Sequence, residues 1–408
     1  MMNKITEEMR IGFLDSTEEI RMIISRHFHV DIPQLGDHID TYLARYVGYL
    51  YTEESEKTYD LLSDALEKYQ VTPLFRIENK QQIIYLIPVL AKKKPSNPLV
   101  NLLLFILTVF SVSVAGGFYN LEALPEAFDL ALLWNLVKSG LPFSISMLGI
   151  LVAHEFGHYF AGRLHKVHVS LPYFIPFPGS LIGTMGAFIS MKEIPKNRKQ
   201  LLDIGLAGPL AGLLIAIPVL FYGLRLSYLD ALPLAAIPGQ NLMLEGNSIL
   251  YLALKYLAFG QLLPAPVDYA GVAPILYWVR YFFTGAPFPY GGLDVQINAI
   301  AWAGWAGLLV TSLNLVPAGQ LDGGHLFYVL FGKEGAKRIY PWILITLIAL
   351  GFFWSGWWFW AVLIFLFGRM HAEPLDQITP LDPIRKRLAW LGLIVFVFCF
   401  IPVPLLIV

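Results

Sequence analysis

From Asn97 to Leu121 the chain carries no charged residue, and five further long apolar segments follow it. A hydrocarbon layer about 30 Å thick is crossed by about twenty helical residues, and inside it every backbone amide must be bonded within the segment. The pattern therefore predicts a polytopic α-helical membrane protein. Charged residues make up 14% of the chain, where soluble domains carry about a quarter. The net charge of −1 argues against a nucleic-acid partner and leaves the lipid bilayer as the partner of these segments. The one cysteine, Cys399, lies in an apolar run, which suits a lipid-facing or core position and excludes an internal disulfide.

The other segments are about Leu141–Gly162, Ile204–Leu224, Val295–Leu321, Ile339–Gly368 and 388–407. Lysine and arginine accumulate in cytosolic loops, which orients the spans. Lys92, Lys93 and Lys94 place the N-terminal region in the cytosol. Glu122, Glu126 and Asp129 against Lys138 place the next loop outside, and Arg163, His165, Lys166 and His168 end a span that runs back in. His165 and His168 read as solvated or headgroup-facing. The run Ile339–Gly368 reads as a hairpin turning at Ser355-Gly356, since one helix would leave Arg369, Arg385, Lys386 and Arg387 outside. This gives six to seven transmembrane helices, seven with the hairpin. The tryptophans around 354–360 suit an interfacial belt.

Residues 1–95 hold no long apolar run and are expected to form a small soluble α+β domain, with 96–408 as the membrane domain. "EESEKTYDLLSDALEKY" has helical periodicity, with Leu61, Leu62, Ala65 and Leu66 on one face. "TPLFRIENKQQIIYLIPVL" reads as two strands joined near Glu78-Asn79-Lys80. The basic, proline-containing "KKKPSNP" is a linker. The opening "MMNKITEEMR" resembles neither a secretory signal nor a transit peptide, so the expected location is a bacterial inner membrane with the N-terminal domain cytosolic.

One span carries "LVAHEFGHYF", residues 151–160. Histidines at i and i+4 share a helix face and can ligate one zinc ion, and Glu155 beside them can polarise water at the metal. In a soluble domain this spacing is often coincidence. In a span each charged group costs about 3 kcal/mol and persists where it has a partner or a function. His154 and His158 leave a catalytic zinc site one protein ligand short. "NLVPAGQLDGGH", residues 314–325, breaks the fourth span at Pro317 and Gly319 and delivers Asp322 at the same membrane depth.

This pairing, HExxH in one span and N-x-x-P-x-x-x-L-D-G in a later one, resembles the site-2 protease family of intramembrane zinc metalloproteases. Matching segments run from about "TPLFR" to about "PLDQ", and the catalytic core would span about 141–333. The resemblance implies one Zn2+ per chain held by His154, His158 and Asp322, with Glu155 as general base. It implies that Asn314 holds the substrate backbone or the oxyanion. A competing role for Asn314 is capping or bridging a kinked helix. "GSLIGTMGAFISMKEI", residues 179–194, resembles the family's membrane-associated β-hairpin, whose edge would bind an unwound substrate around Gly183 and Gly186. The substrate would be a transmembrane protein, in this family often single-pass and already shortened by an earlier cut. No PDZ-like pattern occupies 225–294, an apolar, proline- and aromatic-rich interval that could form a membrane-associated cap. The chain therefore looks closer to the PDZ-less branch, with the chloroplast ethylene-dependent gravitropism-deficient proteases and bacterial relatives.

Two readings compete with these, and two further features are neutral between them. A CAAX-processing type of protease also uses HExxH but needs a downstream glutamate ligand, for which Glu193, Glu245, Glu334 and Glu373 are the choices. A metal or proton transporter could use buried His, Glu and Asp as a pathway, although the chain shows no internal repeat. "DIGLAGPLAGLL", residues 203–214, has small residues at helical spacing and reads as close helix packing. His325 suits either a position behind the metal ligands or a helix surface.

Overall fold

Asn79 and Lys80 both take positive φ, 48° and 65°. Paired positive φ values belong to the two-residue hairpin turn whose twist matches its strands. Here it joins β3 (Val71–Glu78) to β4 (Gln81–Pro88), as the sequence predicted. The computed structural model describes residues 7–36, 41–89, 96–121, 129–236, 242–269, 271–368 and 373–407. The triple lysine 92–94, Glu122, Glu126 and Arg369, used above for orientation, lie outside them.

The N-terminal region contains α1 (Glu7–Asp15), α2 (Thr17–Ser25), β1 (Phe28–Leu35), β2 (Ala44–Leu50) and α3 (Ser55–Glu67), followed by the β3–β4 hairpin. Its four strands form one sheet in the order β1-β2-β4-β3, antiparallel at each pairing. Ile20, Ile24, Phe28, Leu62, Phe75 and Ile84 are among the residues of its own core. On α3 the buried face is Thr58, Tyr59, Leu62 and Leu66, and Leu61 points to solvent. The apolar face is thus rotated from the predicted one, because Tyr59 packs edge-on against Phe75.

Next come α4 (Pro98–Phe118), α5 (Leu130–Ser139), α6 (Leu141–Leu164), β5 (Tyr173–Pro176), β6 (Thr184–Phe188) and α7 (Arg198–Arg225). By length and composition, α4 and α7 are long and apolar enough to cross a membrane. A third such span results if α5 and α6, bent by 57° at Gly140, count as one. The chain continues through β7 (Tyr228–Ala231), β8 (Met243–Glu245), α8 (Ile249–Phe259), α9 (Pro274–Thr284), β9 (Leu293–Gln296) and α10 (Ala299–Asn314). It ends with α11 (Asp322–Leu350), α12 (Gly356–Phe367), α13 (Pro383–Cys399) and β10 (Leu405–Ile407). α10 and α12 are apolar but only 16 and 12 residues long, short of the ~20 that a straight span needs.

Four details differ from the sequence reading. The β-hairpin begins earlier, since β6 pairs with β5 upstream of the 179–194 stretch. The fourth apolar segment is helical only over α10, with its last residues unwound. The last helix stops at Cys399, because Pro402 and Pro404 cannot continue it, and residues 405–407 pair with β8 instead. Cys399 is fully buried. At 351–355 the chain turns back as expected: α12 returns along α11, with the Tyr340 hydroxyl donating to the Phe365 carbonyl at 3.1 Å. Trp357 there is buried with its indole donating to the Pro402 carbonyl, rather than lying in an interfacial belt.

The N-terminal sheet and α3 dock on the start of α7 with the residues just before it, and on the stretch 373–379. Phe75 exchanges backbone hydrogen bonds with Leu375 and Gln377, 3.0 Å each, and Leu375 and Ile378 pack on its core. Glu56 accepts from Lys199 at 2.7 Å and from Asn197 at 2.8 Å, and Asp60 pairs with Lys196. Burial pushes the Glu56 carboxyl up, but the bonds from Lys199 and Asn197 outweigh it and hold it below 4.5. A carboxyl lowered in the folded state stabilises above its ordinary value, and that contribution disappears as pH falls through the lowered one. Acidification below about 4.5 is therefore expected to loosen this docking. Hydrogen exchange at the Phe75 and Gln377 amides would report it, and unchanged protection in acid would remove the ion pairs from the account.

Candidate active site

His154 and His158 lie one turn apart on α6, with Glu155 between them, and all three are buried. An α6 face carrying two imidazoles needs space on its neighbour, and α7 supplies it. A methyl group on Gly208 would sit 2.1 Å from His158 Nε2, and one on Gly212 would sit 3.2 Å from His154 Nδ1. The small-residue stripe read as packing is thus also the seat of both histidines. On the facing side, Gly157 of α6 lies against the Ala207 carbonyl, where a Cβ would be 2.5 Å away.

Asp322 opens α11 after the unwound stretch 315–321. Gly319 there has φ +58°, and a Cβ on Gly323 would meet the Leu315 carbonyl at 1.8 Å. Only glycine permits so tight a return, which carries the Asp322 carboxylate to the histidines. Its Oδ2 lies 3.4 Å from both His154 Nε2 and His158 Nε2, and the two nitrogens are 3.2 Å apart. Zinc held tetrahedrally at about 2.0–2.1 Å from each donor separates neighbouring donors by about 3.3–3.4 Å. The triangle has that size, so these residues fit the metal.

His158 Nδ1 lies 2.7 Å from the Ile204 carbonyl, which can only accept. The ring proton therefore belongs on Nδ1, and Nε2 keeps its lone pair for the point shared with His154 and Asp322. Glu155 Oε2 is buried with no hydrogen-bond partner among the described residues. The Glu155 residue is among those lining a cavity of about 200 Å3, together with Asn314, Ala187, Phe188 and Ile189. A carboxylate oxygen with no partner, next to the donor triangle, is the kind of group that can take a proton from water.

Asn314 ends α10 with its Nδ2 3.3 Å from His154 Nε2. Gly183 and Gly186 do not line the cavity. Gly183, at φ +74°, fits against Val112 of α4, and its carbonyl accepts from Ser111 Oγ at 2.6 Å. Gly186, at φ +96°, lies in open space within β6. These glycines seat the hairpin, and the residues after them, 187–189, form the cavity wall. Of the two loop histidines, His168 is exposed and pairs with Glu193 at 2.8 Å. His165 is partly buried against Asp203, also at 2.8 Å, rather than solvated. His325 is buried, lines the cavity and lies over Gly205.

The glutamates that a CAAX-type site would need are engaged elsewhere. Glu193 holds His168, Glu245 holds Lys255, Glu334 pairs with Lys337, and Glu373 pairs with Lys333. Among the described residues, His154, His158 and Asp322 are the only group of metal-binding side chains drawn this close together.

A profile of peptidase family M50 matches residues 142–353, the stretch that holds the whole triangle. The chain belongs to peptidase family M50. It is similar to the "probable zinc metalloprotease EGY1, chloroplastic" of Arabidopsis thaliana, 30% identical over 74% of this chain and 53% of that protein. The protein of the same name in Oryza sativa subsp. japonica is 32% identical over 58% of this chain and 38% of its own length. The "probable zinc metalloprotease EGY2, chloroplastic" of Oryza sativa subsp. indica is 28% identical over 67% and 44%. The chain thus spans about half the length or less of these relatives. No solved structure matches it.

Proposed function

We propose that this chain is an intramembrane zinc metalloprotease that hydrolyses a peptide bond within or near a transmembrane segment of another protein. The observation that carries the reading is the donor triangle of 3.2, 3.4 and 3.4 Å, with Glu155 lining the same cavity and one of its oxygens unpartnered. His154, His158 and Asp322 would hold one zinc ion. A bound zinc ion supplies Lewis acidity, polarising the scissile carbonyl and acidifying the attacking water. Glu155 takes the water's proton and passes it to the leaving nitrogen. Asn314, beside His154, donates its amide protons to the substrate carbonyl as negative charge develops. β6 pairs with β5 along one edge, and its continuation at Ile189 borders the cavity, so its other edge can hold an unwound substrate by strand addition.

The same reading places the protein as a multi-pass protein of a bacterial inner membrane, with six to seven crossings and a cytosolic N-terminal domain. Docking of that domain on residues 195–199 and 373–379 supports one side for all three. The membrane-protein substrate follows from the site lying among apolar helices. The transporter alternative draws no support, since the matched family is a peptidase family.

The test is zinc content together with cleavage of a transmembrane substrate in detergent. Glu155→Gln is expected to keep zinc and lose about 10²–10⁴ of the rate. Asp322→Asn is expected to weaken zinc itself, because an amide oxygen is a poorer ligand than a carboxylate. Normal zinc and normal cleavage in Asp322→Asn would overturn the ligand assignment. Absence of zinc from the wild-type protein would overturn the function.

A further inference from the structure

The Ile204 carbonyl that orients His158 follows directly on Asp203, whose carboxylate is held from two other helices. Arg385, in the first turn of α13, brings Nε to 3.0 Å from each Asp203 oxygen and Nη2 to 2.7 Å from Oδ2. His165, the residue that ends α6, reaches the same Oδ2 at 2.8 Å through Nε2. Arg385 is fixed in turn by Asp382, which accepts from its backbone amide at 2.9 Å and from Nη1 at 2.7 Å. One carboxylate therefore ties α7 to the end of the zinc helix and to the start of α13.

The placement matters because α7 offers His158 two things at once, the Ile204 carbonyl and the notch at Gly208. An α-helix turns about 100° per residue and rises 1.5 Å, so a small roll or slide of α7 moves both. A bond of 2.7 Å needs little movement before it passes the range of a hydrogen bond. We propose that Asp203 is a positioning residue for the metal centre: through Arg385 and His165 it holds α7 where the Ile204 carbonyl keeps His158 Nε2 turned to the metal. This rests on the zinc reading above.

A purely structural ion pair predicts something different. Asp203 and Arg385 keep 22% and 32% of their side chains exposed, so water can solvate either group when its partner is removed. Loss of the pair is therefore expected to leave the fold almost untouched while disturbing the metal.

The experiment compares wild type, Asp203→Asn and Arg385→Lys by three readouts: chelator-competed zinc affinity, the absorption spectrum of the Co2+-substituted protein, and the thermal midpoint of the metal-free protein. Groups that orient a ligating histidine typically change metal affinity 10–100-fold, and Asp203 acts one step further out, so about tenfold weaker zinc is expected. The Co2+ bands should shift and the metal-free midpoint should stay. Arg385→Lys keeps a charge but loses the forked contact, and should give the same effects more weakly. It decides the matter if Asp203→Asn does not fold. Wild-type affinity and an unchanged Co2+ spectrum in the variants overturn the proposal, as does weakening that only follows a lowered midpoint. A wild-type protein that binds no zinc overturns the zinc reading instead.

Discussion

Gly208→Ala is expected to fold, to lose zinc and to show no cleavage. The added methyl would meet His158 Nε2, Cδ2 and Cε1 at 2.1, 2.4 and 2.4 Å, so one of them must move. What it meets is the far end of a side chain, not backbone, and rotation about two torsions relieves the clash at little cost to packing. That rotation takes Nε2 out of the triangle with His154 and Asp322 and breaks the 2.7 Å bond to Ile204. Two neighbouring glycines separate this effect from helix packing in general. Gly212→Ala would bring a methyl to 3.2 Å of His154 Cβ and Nδ1, a tight contact that costs affinity without expelling the ligand. Gly157→Ala would drive into the Ala207 carbonyl at 2.5 Å and force α6 from α7, so it should lower stability as well. Zinc content and thermal midpoint, measured on all three, should therefore rank differently. A Gly208→Ala protein that retains stoichiometric zinc would show that His158 is not held where the structure has it.

That glycine shows where the sequence stops being legible. The three residues of the donor triangle were readable, because His-Glu-x-x-His in an apolar run is too costly to be incidental and the Pro-Gly break before Asp322 points to a cavity in a membrane. The β3–β4 hairpin and the turn at 351–355 were readable for a similar reason: Asn79-Lys80 and Ser355-Gly356 are local signals that act locally. Small residues spaced along α7 fit both close packing and a seat for large side chains, and the residues that fill the notch lie some fifty positions earlier. Asp203 and Arg385 are 182 positions apart, so neither alone predicts the tie between them. Strands β1 and β2 went unread, as did the end of α13, where an apolar run serves helix and strand equally and prolines decide. Gly183 and Gly186 marked the hairpin correctly as a stretch but not the residues that reach the cavity.

Lys255 is the second such case, a lone lysine in an apolar run, and its removal is expected to give the largest loss of stability of any single substitution considered. It is fully buried on α8, with Nζ 3.0 Å from Glu245 Oε1, 3.4 Å from Asp294 Oδ1 and 4.5 Å from the Tyr251 ring centre. Glu245 lies on β8, paired with the C-terminal strand β10, and Asp294 lies on β9 just before α10. Lys255→Met would leave two buried carboxylates without a cation, which typically costs 3–5 kcal/mol, so about that loss is expected in denaturant unfolding. Neutralising all three, Lys255→Met with Glu245→Gln and Asp294→Asn, should recover most of it, because the penalty comes from unpaired charge and not from lost packing. The pH dependence gives an independent check. Burial pushes the Asp294 carboxyl up to about 6, against the pull of Lys255. A carboxyl raised in the folded state stabilises below its unfolded value of 3.8, and that contribution is lost as pH rises through about 6. Stability of the wild type should fall across that interval, and Asp294→Asn should remove that part of the slope. Lys255→Met takes away the charge that holds Asp294 down, so the fall should extend to higher pH. If Lys255→Met proves no less stable than the triple variant, the lysine does not carry its charge between the two acids.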